Sequence, residues 1–434
     1  MAFYLSQYAR IFQKHGHWWL FHSPTGIAAK FTDDFVETPE FRQLVRERVI
    51  DNNDHDVILT MRQHGILVDE IAYQQEPAQL VERLHKYSHN EDSFELILLP
   101  TEKCNFRCPY CYEDFQLGRM SRWVVDAVKR LLTRQAARDG IKNLRLSWFG
   151  GEPLIAKDIV FEITEHALSE ARNHSLAFMG GMTTNGYYLD RETFARLQEL
   201  QITLFQVTLD GPPEVHNQSR ILFSGRGTYD RIWSNLAEMH QTDGNFILIL
   251  RMNVHDGNYA AIKEWVPTLA NSFLREDNRF LLHFHTVFVG NLENKAPRRE
   301  ELQRVRELYR IANEHHLPVD LDRFFAPFGS VCYAARANNF VIRSNGNVNK
   351  CTVAFGIPQN DVGKLTPEGE LQINDNYHLW VRDPLAHSSC QSCSLAYQCG
   401  GHASCPLHPI LRGGDRRYCS IYRDANNLIP LLAH

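Results

Sequence analysis

Three thiols define the chemistry open to this chain. In the stretch Thr101 to Asp114, TEKCNFRCPYCYED, Cys104, Cys108 and Cys111 stand as C-x3-C-x2-C, with aromatic Tyr110 directly before the third. Thiolates this close in one irregular loop can ligate three corners of a 4Fe-4S cluster and leave the fourth iron without a protein ligand. An open iron is a place where a small molecule can bind. The competing reading is a three-cysteine zinc site, against which stands the preference of structural zinc for four protein ligands.

The other seven of the ten cysteines fall between Cys332 and Cys419, and none lies in the 220 residues before them. Cys332, Gly346 and Cys351 form C-x13-G-x4-C; Cys390, Cys393, Cys399 and Cys405 form C-x2-C-x5-C-x5-C; Cys419 follows. So tight a grouping in a long chain without a secretory start argues against disulfides and for metal. A two-zinc ribbon is one reading of this spacing, and auxiliary iron-sulfur clusters are the other, favoured by the first loop. Three four-iron clusters with four protein ligands each would need about twelve thiolates, and the chain supplies ten. One open corner is that of the first loop. The other falls within the seven-cysteine region, to be filled by solvent, substrate or a residue such as His402.

These thiols must be positioned, and the pattern around them says how. From Phe94 onward apolar strands alternate with helix-length periodic segments: Phe94 to Leu99, Asn143 to Phe149, Leu176 to Met182, Leu204 to Thr208, Phe246 to Val254 and Leu281 to Val289, with helices such as Ser121 to Arg138 and Asp158 to Asn173 between them. Six β/α repeats predict a parallel, barrel-like sheet with its chemistry in loops after the carboxyl ends of strands. The three-cysteine loop follows the first strand. After the second come Gly150, Gly151, Glu152 and Pro153, where two glycines let backbone approach a ligand and a carboxylate can receive an ammonium group. Thr183, Thr184, Asn185 and Gly186 follow the third and could bond ribose hydroxyls. Arg251 and Asn253, two apart in the fifth strand, share a face, and a carboxylate would suit Arg251. Asp210, ahead of Gly211 and Pro212, is either a turn former or a general base. His283 and His285 share a face of the last strand, as substrate contacts or as satisfied barrel histidines.

Ahead of the barrel, Ala9 to Lys30 reads as short strands joined at Lys14-His15-Gly16 and Ser23-Pro24-Thr25-Gly26. Thr38 and Pro39 open a helix whose apolar run is Phe41, Leu44, Val45 and Val49; a second helix runs through Val57, Ile58 and Met61 to Gly65, before Ile66-Leu67-Val68. Gln74 to Asn90 is a polar connecting helix. This module reads either as a cap or as a peptide-docking surface, since an exposed sheet edge accepts an added strand. The 434 residues, 44% hydrophobic, are ample for two or three domains, and the formal charge of −5 comes from well-mixed acids and bases. No basic stripe suggests nucleic acid, and no apolar stretch approaches a membrane span, so a soluble, cytoplasmic protein is expected.

With these motifs the chain resembles a radical S-adenosylmethionine (SAM) enzyme with a C-terminal SPASM domain, of the subfamily that modifies peptides and proteins. The resemblance runs from about Phe94 to the end. It implies an α/β fold in which a partial (β/α)6 TIM-like barrel over 93–300 follows a leader-recognition-like α+β module over 1–92, with a bridging helix in 301–326 and a Cys-rich SPASM domain over 327–434. By that likeness Cys104, Cys108 and Cys111 match the SAM cluster and Tyr110 the aromatic beside adenine. Gly150, Gly151, Glu152 and Pro153 match the methionine-amine segment, Thr184 and Asn185 the ribose contacts, and Arg251 with Asn253 later cofactor contacts. Asp210-Gly211-Pro212 with His216, Asn217 and Arg220 matches a signature of the subfamily. Cys390, Cys393, Cys399 and Cys419 would hold an outer auxiliary cluster, and Cys332, Cys351 and Cys405 an inner one. One departure stands out: five residues separate Cys399 from Cys405 where the family has three. The resemblance implies three 4Fe-4S clusters, SAM, a precursor peptide with leader and core, and a low-potential donor such as flavodoxin or ferredoxin. The expected activity is oxidative crosslinking of a ribosomally made peptide, as a thioether or carbon-carbon bond, through a 5'-deoxyadenosyl radical. The alternatives are an anaerobic sulfatase maturase making formylglycine, and a noncatalytic iron-sulfur or peptide-binding protein.

Overall fold

The computed structural model describes residues 2–51, 54–287, 299–321, 326–329, 331–381, 388–401 and 405–412. Cys419 and His402 lie outside the described residues. The chain divides into two compact units, one of Met1–His89, Leu321–Arg336 and Val381–His434, the other of Asn90–Asp320 and Ala337–Trp380.

The first unit opens with β1 (Ala2–Leu5) and an antiparallel sheet of β2 (Ala9–Lys14), β3 (His17–His22) and β4 (Ile27–Lys30), in the order β2-β3-β4. His15 and Gly16 between β2 and β3 both have positive φ, 51° and 79°, the turn that matches the twist of a two-residue hairpin. Helices α1 (Asp33–Val36) and α2 (Pro39–Glu47) follow, the latter capped by Thr38, whose Oγ1 accepts from Phe41 N at 3.1 Å. The apolar run does not carry the helix to Val49. Arg48 turns left-handed (φ 59°) and its guanidinium donates to the carbonyls of Ser6 (2.8 Å) and Ala9 (3.1 Å). Val49–Asp51 thereby becomes β5, which pairs with β1 in a second sheet, β5-β1-β6. That sheet, with β1 at its centre, was not legible in the sequence. Between them, α3 (Asp56–Gln63) and β6 (Leu67–Val68) match the expected second helix and closing strand. Phe31, Phe35, Phe41, Leu44, Ile58 and Met61 form the core, each such side chain contributing about 1.5–3 kcal/mol of burial.

Helix α4 (Glu70–Ser88) presents Leu80 and Leu84 to Tyr8, Val331, Ala396 and Tyr397. The cysteine segment 388–401 therefore packs within this unit. Tyr8 donates to the carbonyl of Gln391 at 2.7 Å, and Gln398 Nε2 to that of Ser23 at 2.7 Å.

In the second unit β7 (Ser93–Leu98), β8 (Asn143–Trp148), β9 (Ala177–Thr184), β10 (Ile202–Thr208), β11 (Ile247–Val254) and β12 (Phe280–Thr286) lie parallel and side by side in chain order. All six expected strands are present, and the third runs on through Thr183 and Thr184. Among the described residues the sheet does not close: outside β12 residues 318–320 bridge in parallel to Leu282, and beyond β7 come β13 (Asn339–Ile342), β14 (Asn347–Asn349), β15 (Asp361–Leu365) and β16 (Leu371–Ile373). The expected hairpin around Gly346 is β13-β14, and its first strand adds to the barrel sheet, parallel to β7. Helices α5 (Arg122–Ala136) and α6 (Lys157–Asn173) connect the first three strands. Phe94, Leu96 and Leu98 of β7 and Leu144, Leu146 and Trp148 of β8 alternate as the buried face, the pattern of a sheet with one face against helices. Trp148 donates from Nε1 to Thr164 Oγ1 on α6 at 3.1 Å, tying down the strand end that leads to Gly150.

Candidate active site

The three-cysteine loop leaves β7 and is pinned at both ends by backbone. Thr101 bridges to Arg119, and Phe106, fully buried, bridges to Leu222. Around that bridge Arg107 N donates to Ile221 O at 3.0 Å and Phe223 N to Asn105 O at 2.8 Å. The loop is thus paired with the segment that immediately follows Arg220.

The loops after β8 and β9 close on it from the other side. Gly151 N donates to Thr101 O (3.2 Å) and Glu152 N to Lys103 O (3.0 Å). A Cβ on Gly150 would stand 2.3 Å from Thr101 O, and one on Gly151 2.5 Å from Lys103 O. What the two glycines admit at close range is therefore the backbone of the cysteine loop. Glu152 is buried, its Oε1 accepting from Leu154 N (3.0 Å) and Thr184 Oγ1 (2.7 Å) and its Oε2 from Asn185 N (2.7 Å). Burial pushes its carboxyl up despite these bonds. Pro153 starts the short turn Pro153–Ala156 behind it. Asn185 Nδ2 reaches Asn105 Oδ1 at 2.8 Å and Cys104 Sγ at 3.8 Å.

A second group meets the loop at Tyr110. Its hydroxyl donates to Asp210 Oδ2 and accepts from Arg220 Nη1 at 2.9 Å. Asp210 is wholly buried, and its Oδ1 accepts from Asn253 N at 2.9 Å. Its own N–H donates to His216 Nδ1 (3.2 Å), leaving Nε2 protonated toward Thr228 Oγ1 (3.0 Å), which in turn donates to the carbonyl of Arg220 (2.5 Å). Asn217 Oδ1 accepts from Thr228 N (2.8 Å) and Tyr229 N (3.1 Å), at the start of a helix over Tyr229–His240. Arg251 and Asn253 do share a face, Arg251 Nε donating to Asn253 Oδ1 at 2.8 Å. In the parallel register Arg251 stands beside His283 and Asn253 beside His285. His283 is buried, its Nδ1 2.9 Å from Tyr309 Oη.

The structure thus gathers Cys104, Gly150, Gly151, Glu152, Thr184 and Asn185 on one side, and Tyr110, Asp210 and Asn253 with Arg251 on the other. Sequence reasoning missed Glu102, two residues before Cys104. Its buried carboxylate is gripped by Arg343 of the β13-β14 turn, through Nε (3.2 Å) and Nη2 (2.5 Å), and by the Ser344 hydroxyl (3.1 Å). Nothing local marks this pair, because 241 residues separate its members. Asn105 was also missed; its only signal is its place next to Cys104.

These residues fit an iron-sulfur cluster. Burial, with Glu152 adding to it, pushes the Cys104 thiol up to about 12, and burial raises Cys108 and takes Cys111 up to about 11. Thiols so disposed need a strongly positive partner to ionise, which metal supplies. Among the described residues no group of three His, Cys, Asp or Glu side chains is placed to hold a single ion. Of the remaining cysteines, Cys332, Cys390, Cys393, Cys399 and Cys405 fall in the first unit and buried Cys351 in the second. Asn360 clamps the Cys351 backbone on both sides, accepting from its N–H (2.9 Å) and donating to its carbonyl (2.8 Å).

Residues 98–266 match the model of the radical SAM superfamily. The chain carries a radical SAM domain. The matched residues contain β8 to β11 in full, begin at the last residue of β7, and include the loops that follow β7, β8, β9 and β10. Over 265 residues the chain is 23% identical to a probable GTP 3',8-cyclase of Archaeoglobus fulgidus, covering 58% of this chain and 83% of that protein. It is 26% identical over 202 residues to an uncharacterized protein of the same organism, covering 46% of this chain and 44% of the other. With a cysteine-type anaerobic sulfatase-maturating enzyme of Clostridium perfringens it shares 23% identity over 168 residues, 36% of this chain and 44% of that enzyme. The chain thus spans under half the length of two of these relatives. Among solved structures, native anSMEcpe with bound AdoMet and a Cp18Cys peptide superposes with a TM-score of 0.58 at 18% identity, over 78% of this chain and 98% of that one. The fold is shared. No helix among the described residues is long and apolar enough to cross a membrane.

Proposed function

We propose that this chain is a radical SAM maturase that oxidatively modifies a ribosomally made precursor peptide, forming a thioether or carbon-carbon crosslink. The observation that carries this reading is the convergence of three strand-end loops on Cys104, Cys108 and Cys111 within a domain that matches the radical SAM superfamily. When bound, the reduced cluster and SAM supply a 5'-deoxyadenosyl radical able to take hydrogen from an unactivated carbon.

The chain's own residues do the holding. Cys104, Cys108 and Cys111 ligate three irons, and the Asn185 amide and Phe106 N–H (3.3 Å) steady the Cys104 sulfur. Tyr110, fixed through its hydroxyl by Asp210 and Arg220, keeps its ring available to the adenine. Gly150, Gly151, Glu152 and Pro153 brace the cysteine loop together with Thr184 and Asn185, and these residues, with Arg251 and Asn253, would hold the amine, ribose and carboxylate of SAM. Asp210 acts by position, since both its oxygens are engaged. By the family resemblance Cys390, Cys393, Cys399 and Cys419 would hold an outer auxiliary cluster and the remaining C-terminal cysteines a second, groups that would take up the electron a net oxidation releases. Residues 1–92 serve peptide binding, where β2 and β4 are both edge strands and so can accept an added strand. A flavodoxin or ferredoxin supplies electrons.

The likeness to the Clostridium perfringens enzyme favours a second reading, oxidation of a Cys or Ser in a sulfatase to formylglycine. Co-expression with a neighbouring short precursor and with a sulfatase separates the two, with GTP consumption assayed alongside. Loss of two hydrogens from the precursor supports crosslinking; a mass change confined to the sulfatase replaces it with the second reading. Reconstitution is expected to give about twelve irons per chain, with reductive cleavage of SAM that Cys108→Ala abolishes. Cleavage surviving that substitution sinks both readings.

A further inference from the structure

The first unit holds a polar cavity of about 410 Å3, remote in sequence from the radical SAM domain and lined by Gln7, Arg10, Arg48, Tyr73, Ser392 and Ser394 among others. Its two guanidiniums differ. Arg48 is spoken for: Nη2 donates to the carbonyls of Ser6 and Ala9, and the carboxylate of Glu76, itself bonded by Gln7 N at 2.8 Å, lies in its field. Arg10, half-buried on edge strand β2 opposite the fully buried Phe21, makes no hydrogen bond or ion pair among the described residues. An arginine keeps its charge at any biological pH; Arg10 feels the Cys393 thiol across the cavity lining but has no hydrogen-bonded acceptor, and a charge drawn partly out of water without one is costly.

We propose that this cavity binds the carboxylate of an acidic side chain on the peptide substrate, with the Arg10 guanidinium as its fork. The inference rests on the peptide-modifying reading above. Arg10 presents parallel N–H donors that match a carboxylate bidentately. Ser392 and Ser394 line the same cavity, beside the Cys390–Cys393 turn. With Arg48 already engaged, Arg10 is the cavity's guanidinium without a hydrogen-bonded acceptor, and its single charge suits a monoanionic carboxylate better than a dianionic phosphate. The backbone edge of β2 gives an extended segment carrying that side chain something to lie along.

The test pans a displayed library of random peptides on the full-length, anaerobically purified chain and on Arg10→Gln, Arg10→Lys and, as a surface control, Arg46→Gln, with matched thermal midpoints. Selections on the unsubstituted chain and on Arg46→Gln are expected to enrich Asp or Glu at one position about tenfold. Arg10→Gln should abolish the enrichment, and Arg10→Lys, which keeps the charge without the fork, should leave only part of it. Enrichment absent from the unsubstituted chain, or persisting in Arg10→Gln, overturns the proposal. So does release of the selected peptides by millimolar inorganic phosphate but not by acetate, which would assign the cavity to free phosphate. A shift of an auxiliary-cluster potential in Arg10→Gln with unchanged selections would make Arg10 a partner of the cluster at Cys393 and overturn it equally. A chain that selects acidic peptides through Arg10 yet modifies no peptide keeps the site and loses the maturase reading. A chain whose KM for its precursor is indifferent to Arg10→Gln keeps that reading and loses the site.

Discussion

Tyr110 donates its phenolic hydrogen to the buried carboxylate of Asp210, 100 residues further along the chain. Because Arg220 donates to the same hydroxyl while Asn253 N holds the other carboxylate oxygen, the cysteine loop and the ends of two barrel strands share one hydrogen-bond system. Asp210→Asn preserves the shape but aims an amide hydrogen at, or a poorer acceptor toward, the tyrosine. The fold should survive, while reductive cleavage of SAM without any peptide present should fall about ten- to a hundredfold through misplacement of the aromatic ring. Liquid chromatography of 5'-deoxyadenosine measures it. Unchanged uncoupled cleavage with lost peptide modification would instead make Asp210 a base acting on substrate.

Gly150 is where barrel and cysteine loop touch most closely. With φ at 114° and Thr101 O 2.3 Å from where a Cβ would sit, alanine must push backbone against backbone. Gly150→Ala should lower the thermal midpoint well beyond Gly140→Ala, whose φ is also positive, at 83°, but whose Cβ would meet nothing within 4 Å. The control should cost about 1 kcal/mol. The difference, together with iron retained after reconstitution, measures how far the first cluster depends on this contact. Equal midpoints and equal iron would show that the loop yields freely.

What could be read from the sequence was periodic or spaced; what could not was long-range or set by side chains acting on backbone. The six barrel strands declared themselves by apolar runs, and the three cysteines by spacing. The Asp210 to Arg220 segment stood out as a pattern, but its physical task was invisible: pairing 221–223 with 105–107 and holding Tyr110 are tertiary facts. Val49 read as helix because its spacing from Phe41 and Val45 is helical, whereas the left-handed turn at Arg48, stabilised by its guanidinium on Ser6 and Ala9, ends the helix first. Glycines 150 and 151 were read as letting backbone approach a ligand, whereas what stands against them is the chain's own backbone from Thr101 to Lys103.

The ion pair between Glu102 and Arg343 joins the residues before Cys104 to the turn that leads to Cys351. Both are largely buried, with side-chain exposures of 1% and 15%. Arg343→Gln strands the Glu102 carboxylate and should destabilise the chain by about 3–5 kcal/mol, whereas the double variant with Glu102→Gln should recover much of that loss. Chemical denaturation of the metal-free chain tests the cycle. Additive single effects would mean that the two side chains do not depend on each other.

His216 makes stability pH-dependent in a predictable direction. Burial, with Arg220 nearby, lowers its pKa from 6.5 to about 3, and it stays neutral to accept from Asp210 N and donate to Thr228. As pH falls through 6.5 the unfolded chain takes up a proton that the folded chain refuses. The stabilisation is therefore complete above pH 6.5 and is lost as pH falls toward about 3, at a limiting slope of about 1.4 kcal/mol per pH unit from this group. His216→Gln, although less stable at neutral pH for want of one partner, should show a flatter decline between pH 6.5 and 5 when denaturant midpoints of the metal-free chain are compared. Parallel declines in the two proteins would place the acid sensitivity elsewhere and would mean that His216 is protonated in the folded chain.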